Sequence, residues 1–183
     1  DSGECREIAW NLGGVHMAAN AVCAAAATTA LGCTPDEVAI GLANCRLPGQ
    51  RLEITEIKGI HWVNDAFNAN PDSVHAALDW FAEVVPPMAP ARIVLGDMLE
   101  LGESSDESHR EVLRHARKCC PNAQLWTVGA LMEKAAAEVD PAIPNVPTAD
   151  LMREKLPALA TDGAWILLKS SHGIGLSKLV PVT

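Results

Sequence analysis

Apolar and polar positions recur along this chain in blocks whose period switches between that of a helix and that of a strand. Residues 15–31 carry apolar groups at helical spacing in an alanine-rich run that Gly32 is placed to stop. Thr34, Pro35, Asp36 and Glu37 then supply an N-cap, a first-turn proline and acids against the helix dipole, predicting a second helix to about Asn44. The segment LPGQR, residues 47–51, breaks the pattern and is followed by a strand-like LEITEI. A domain boundary is expected there, with residues 1–49 before it and 50–183 after. Beyond it, strand-like apolar runs near 52–57, 60–65, 91–96, 124–128 and 164–169 alternate with helical patterns near 71–84, 104–119, 130–139, 149–160 and 174–179. The first two runs are close enough to pair as a hairpin, whereas the others need crossover helices. The pattern therefore predicts an α/β fold with a mostly parallel sheet and one antiparallel edge. Ligands of such sheets gather at the carboxyl ends of the strands. The proline-rich patches at 86–90 and 141–147 read as connecting loops.

Composition narrows the function classes. A chain of 183 residues can bury a substantial core. With 14 Lys plus Arg against 23 Asp plus Glu, the net charge of −9 disfavours a nucleic-acid backbone as partner, while a local site for one nucleotide remains open. The alanine-rich run holds Asn20 and two threonines and is too short to span a membrane. No signal-peptide pattern is visible. Six cysteines, at 5, 23, 33, 45, 119 and 120, form no C-x-x-C pair and no spaced zinc-type cluster, so they read as reduced thiols of a cytoplasmic protein. The adjacent Cys119 and Cys120 read as bystanders near a helix end, because a bridge between neighbours is strained. There is no G-x-x-x-x-G-K-[ST], G-x-S-x-G or H-E-x-x-H motif. Nucleotide chemistry would need residues from elsewhere.

Three polar stretches sit where strands end. In WVNDAFNANPDSV, residues 62–74, Val63 reads as buried strand and Asn64, Asp65, Asn68 and Asn70 place hydrogen-bonding groups past it. Pro71, Asp72 and Ser73 suit a helix start, and the stretch is either a site or a polar turn that caps a helix. GDMLELG, residues 96–102, follows the apolar ARIVL and precedes a helix capped by Ser104 or Ser105. Asp97 and Glu100 there suit an ammonium group or a metal, or form a solvated loop; adjacent strands would bring this loop and the first into one crevice. KSSHGIG, residues 169–175, offers a lysine, two hydroxyls and backbone N–H groups at the start of the last helix, suited to a carboxylate or phosphate, or else forms a glycine-rich turn. Elsewhere, His16 and Asn20 share a helix face beside Gly13 and Gly14 and either line a site or decorate a surface. Arg51 is positioned to reach a nucleotide or to be an ordinary surface arginine.

Taken in order, GGVHMAANAVCAAAA, RLPGQRLE, VNDAFNANPDSV, VLGDMLELGESSDESHREV and the terminal KSSHGIG resemble the Mur ligases, over nearly the whole chain after residue 13. Members of that family have a UDP-sugar domain, a central ATPase domain and a Rossmann-like domain that brings the incoming amine. The resemblance implies that residues 1–49 are the last helices of a truncated central ATPase domain and that 50–183 are the Rossmann-like C-terminal domain. It implies part of an ATP-dependent, ADP-forming amide ligase of peptidoglycan synthesis, and so of cell-wall biogenesis, cell shape and division in the bacterial cytoplasm. The paired NANPDS and GDM-x-ELG motifs imply D-Ala-D-Ala as the amine and UDP-N-acetylmuramoyl-tripeptide as the acceptor, joined through an acyl phosphate with Mg²⁺ bridging the ATP phosphates.

By the same resemblance His16, Asn20, Arg51, Asp65 and Phe67 face ATP, Asn20 towards adenine and Arg51 and Asp65 towards phosphate and ribose. Asn68, Asn70, Asp97, Met98, Glu100, Lys169, Ser170 and Ser171 face the dipeptide. The family's phosphate loop, Mg²⁺-binding acids and modified lysine belong to upstream domains, so no catalytic or metal-binding residue is expected within this stretch and the stretch alone is expected to be inactive. Departures are Lys169, Ser170, Ser171 and His172 where K-G-S-R is common, Phe67 for Tyr and Ala66 for Ser; the missing arginine removes a bidentate carboxylate contact. Other members of the scaffold, adding a different amino acid or acting on folate or a polymer, and a non-catalytic binding subunit are the competing readings.

Overall fold

A computed structural model describes residues 5–9, 13–46 and 49–181. It divides into two compact units, Asp1–Pro48 and Gly49–Thr183.

The first unit holds α1 (Val15–Ala30) and α2 (Pro35–Ala43). Thr34 and Glu37 cap α2 reciprocally, and the Thr34 backbone and hydroxyl hydrogen bonds hold the Glu37 carboxyl below its ordinary range. None of the described residues of this unit is fully buried; Val22 and Ile40, 68% and 63% exposed, lie among its open apolar side chains.

The second unit is a six-stranded sheet between helical layers. Its elements are β1 (Glu53–Ile57), β2 (Ile60–Asp65), α3 (Pro71–Val84), β3 (Ala91–Gly96), α4 (Ser105–Cys119), β4 (Gln124–Val128), α5 (Ala130–Val139), β5 (Asn145–Val146), α6 (Ala149–Leu159) and β6 (Trp165–Lys169). Strand order is β1-β2-β6-β3-β4-β5, with β1 antiparallel to β2 and every other pair parallel. Lys58 and Gly59, both at positive φ (53° and 74°), make the two-residue hairpin whose twist suits paired strands.

Side chains alternate across the sheet, and each face acquires its own core. Val63, Ile93, Leu95 and Leu167 pack under Leu78 and Phe81 of α3, Leu113 of α4 and Met132 of α5. Trp62, Val94, Ile166 and Leu168 pack under Met152 and Leu156 of α6 and under Leu176 and Leu179.

The structure departs from the sequence expectation at four places. β6 lies between β2 and β3, so the first two polar loops are not on adjacent strands. The two-residue β5 falls inside a stretch expected to be loop. The expected last helix is two short 3₁₀ turns, His172–Ile174 and Leu176–Leu179, divided by Gly175 at φ 81°. Finally, Ser104 occupies the N-cap position of α4 without capping it; its hydroxyl donates to the Leu101 carbonyl.

Candidate functional site

The three parallel strands β2, β6 and β3 end side by side, so loops 65–70, 169–175 and 96–102 emerge along one edge of the sheet. Lys169 pairs in register with Asp65 and is 3% exposed. Its Nζ lies 2.8 Å from Asp65 Oδ2 and donates to the carbonyl oxygens of Asn68 at 2.7 Å and Asp65 at 3.4 Å. Asp65 Oδ1 accepts the Leu52 N–H at 3.1 Å. The three ammonium protons are thereby engaged, and Lys169 ties the β2 loop to β6.

The β3 loop is fixed just as firmly. Asp97, expected to face a ligand, accepts the N–H groups of Leu131 and Met132 at 3.3 and 2.8 Å and so caps α5 from a neighbouring loop. Gly129 makes this approach feasible: its φ is 108°, and a Cβ there would lie 2.4 Å from the Asp97 carboxyl carbon. Met98 is fully buried in the core and presents only backbone, its N–H donating to His109 Nε2 at 2.9 Å. His109 Nδ1 is 2.6 Å from the Ser105 carbonyl, which assigns the neutral Nδ1–H tautomer. Leu99 N–H donates to Ser171 Oγ, Ser171 N–H to the Asp97 carbonyl, and buried Ser170 Oγ to the Ser171 carbonyl. Asp97, Met98, Ser170 and Ser171 are therefore parts of a rigid floor.

Above that floor stands an exposed rim. The Arg51 guanidinium lies over the Phe67 ring at 4.3 Å, and the His172 ring is 5.9 Å from Phe67. The Phe67 N–H donates to the Gln50 carbonyl, fastening this corner to the segment that leads into β1. Asn68 is exposed. Asn70 Oδ1 accepts the Ser73 N–H and caps α3, so that residue serves a helix first. Glu100 is exposed at φ 66°. A guanidinium suits phosphate, and carboxamides with one carboxylate suit an ammonium group. The Asp65 and Asp97 carboxylates are committed to Lys169 and to backbone N–H groups. Asn20 is exposed on α1, its Nδ2 3.9 Å from Met17 Sδ, and the side chain of His16 lies outside the described residues.

Sequence reasoning missed His109 and Gly129. Neither carries a local signal: the partner of His109 is a loop N–H eleven residues upstream, and that of Gly129 is a carboxylate in the loop after another strand.

Fold and site together define a Rossmann-like α/β domain with a polar crevice at the carboxyl ends of its central strands. The chain belongs to the Mur ligase family, residues 50–172 matching the Mur ligase, glutamate ligase domain. It is similar to the UDP-N-acetylmuramoyl-tripeptide–D-alanyl-D-alanine ligase of Bacillus subtilis, 32% identical over 91% of this chain and 37% of that protein. Among solved structures it is similar to MurF from Acinetobacter baumannii (TM-score 0.80, 25% identity, 94% of this chain and 38% of that one). The MurF ligase of Thermotoga maritima in complex with ADP shares the fold (TM-score 0.73, 22% identity, 92% of this chain and 38% of that one). The chain thus spans little more than a third of the length of these relatives.

Proposed function

We propose that this chain is the amine-delivering part of a MurF-type enzyme, an ATP-dependent ligase that joins D-Ala-D-Ala to UDP-N-acetylmuramoyl-tripeptide in the bacterial cytoplasm. The observation that carries the reading is the likeness to a ligase of that name across 91% of the chain, running through both units. In the reaction, the tripeptide carboxylate takes the terminal phosphoryl group of ATP, releasing ADP. The amine nitrogen of D-Ala-D-Ala then attacks the acyl carbon, phosphate leaves, and the nitrogen gives up a proton.

Residues 1–49 are on this reading the last helices of the central ATPase domain, and the exposed Val22 and Ile40 would be covered there. Arg51, backed by Phe67, would hold an ATP phosphate, and Asp65 would set that corner through Leu52. His16 and Asn20 would face adenine. Asn68, Asn70 and Glu100 would receive the dipeptide on the floor built by Asp97, Met98, Lys169, Ser170 and Ser171, with His172 in place of a fixed guanidinium. Mg²⁺ would be held by the upstream domains, which supply the phosphate loop.

Steady-state kinetics of the complete ligase test the assignment. Arg51→Ala is expected to raise KM for ATP and Asn68→Ala to raise KM for D-Ala-D-Ala. Each loses a polar contact to a charged ligand worth about 1.5–3 kcal/mol, roughly tenfold or more. Normal kinetics in both variants would refute the site.

A further inference from the structure

Helices α3 and α4 pack on the same face of the sheet, and each starts at a strand's carboxyl end and runs back towards the amino ends. Midway along α3 and in the last turns of α4, two side chains one turn apart on each helix converge. His75 and Asp79 belong to α3, and His115 and Cys119 to α4. His115 Nε2 is 2.6 Å from Asp79 Oδ1. One donor atom each from Asp79, His115 and Cys119 lie within 4.8 Å of one another, an arrangement met nowhere else among the described residues. The His75 ring packs on that of His115 with centroids 4.4 Å apart, and its Nε2 is buried without a hydrogen-bond partner. Cys120 Sγ points instead to the Leu78 carbonyl, leaving Cys119 as the sulfur turned to the cluster.

An ion pair between His115 and Asp79 accounts for two of these groups, whereas Cys119 Sγ makes long sulfur contacts, 3.9 Å to the Ala116 carbonyl and 3.7 Å to Cys120 Sγ, and His75 Nε2 has no partner. Imidazole nitrogen, thiolate sulfur and carboxylate oxygen are the donor set of zinc, at about 2.0–2.3 Å from the metal. The Asp79 and His115 side chains keep 55% and 26% of their surface exposed, so an ion can enter and the donors can rotate the last ångström inwards. We propose that Asp79, His115 and Cys119 bind a divalent transition-metal ion of the zinc class, with water in the fourth position and His75 packed against the ligating imidazole. Occupancy ties α3 to α4 and so secures one face of the sheet.

The test is a Co²⁺ titration of the chain with Cys5, Cys23, Cys33 and Cys45 replaced by serine, following thiolate-to-cobalt charge-transfer absorption and the melting temperature. One equivalent of Co²⁺ should develop the band, one equivalent of Zn²⁺ should abolish it, and either ion should raise Tm. The variant C119S should lose the band while keeping the metal-free Tm and far-ultraviolet circular dichroism of its parent. D79N and H115Q should each weaken Co²⁺ binding at least tenfold. Absence of the band in the parent, its survival in C119S, or undiminished affinity in both D79N and H115Q would overturn the proposal. The parent titration decides the matter even if a variant misfolds.

Discussion

Lys169 and Arg51 are two cations within one crevice whose surroundings give them opposite work. Lys169 is 3% exposed and held between a carboxylate and two carbonyls, so Lys169→Ala would strand the Asp65 charge in a largely buried position. That loss should cost about 3–5 kcal/mol of stability. Arg51 rests on a ring that is 40% exposed, and Arg51→Ala should cost no more than about 1 kcal/mol. Urea denaturation of both variants checks the contrast, which equal losses would contradict. The sequence placed polar groups at the strand ends because residue type and spacing reveal where a strand stops. It did not reveal whether a group's partner is a ligand or the protein's own backbone. Asp97 is taken by N–H groups in the first turn of α5 and Ser171 by the Leu99 N–H of the β3 loop, and that knowledge requires the strand order; Ser170 turns to its neighbour's carbonyl. The zinc-type donor set was hidden for the same reason: spacing rules look for donors close along the chain, whereas these come from two helices.

Among the elements, α3 was the most legible, since Asn70, Pro71, Asp72 and Ser73 state its start in local chemistry. The Asn70 side chain accepts from Ser73 N–H at 2.8 Å, and Asn70→Ala should lower stability by roughly 1 kcal/mol. Thermal melts would show it, and Asn70→Asp should recover most of the loss by restoring the acceptor. The hairpin and the five longer strands were likewise readable from period and turn residues. The position of β6 was not. Its run WILLK is buried on both faces, which fits a central strand, but apolarity alone does not say between which neighbours it inserts. The two residues of β5 are too few to carry a period, and the 3₁₀ turns after β6 follow from glycines at 173 and 175 that interrupt a helix.

For the whole molecule, burial separates the two units. The second carries a core on each face of its sheet, whereas no described residue of the first is fully buried. Native-state hydrogen exchange should therefore find β3 and β6 opening only with global unfolding, and α1 and α2 exchanging at far lower opening free energy. Equal protection in the two units would contradict this. On the proposed reading, a delivering domain needs a preformed surface for its small substrate, and the rigid floor and exposed rim at one sheet edge would provide it. The central claim is that this surface receives D-Ala-D-Ala. The most direct measurement is ADP release by the complete ligase offered UDP-N-acetylmuramoyl-tripeptide, Mg-ATP and one amine at a time from a panel of D-Ala-D-Ala, D-Ala, D-Glu, L-Lys and L-Glu. The account predicts turnover with D-Ala-D-Ala far above every other amine; preference for a different amine, or no turnover with the dipeptide, would contradict it.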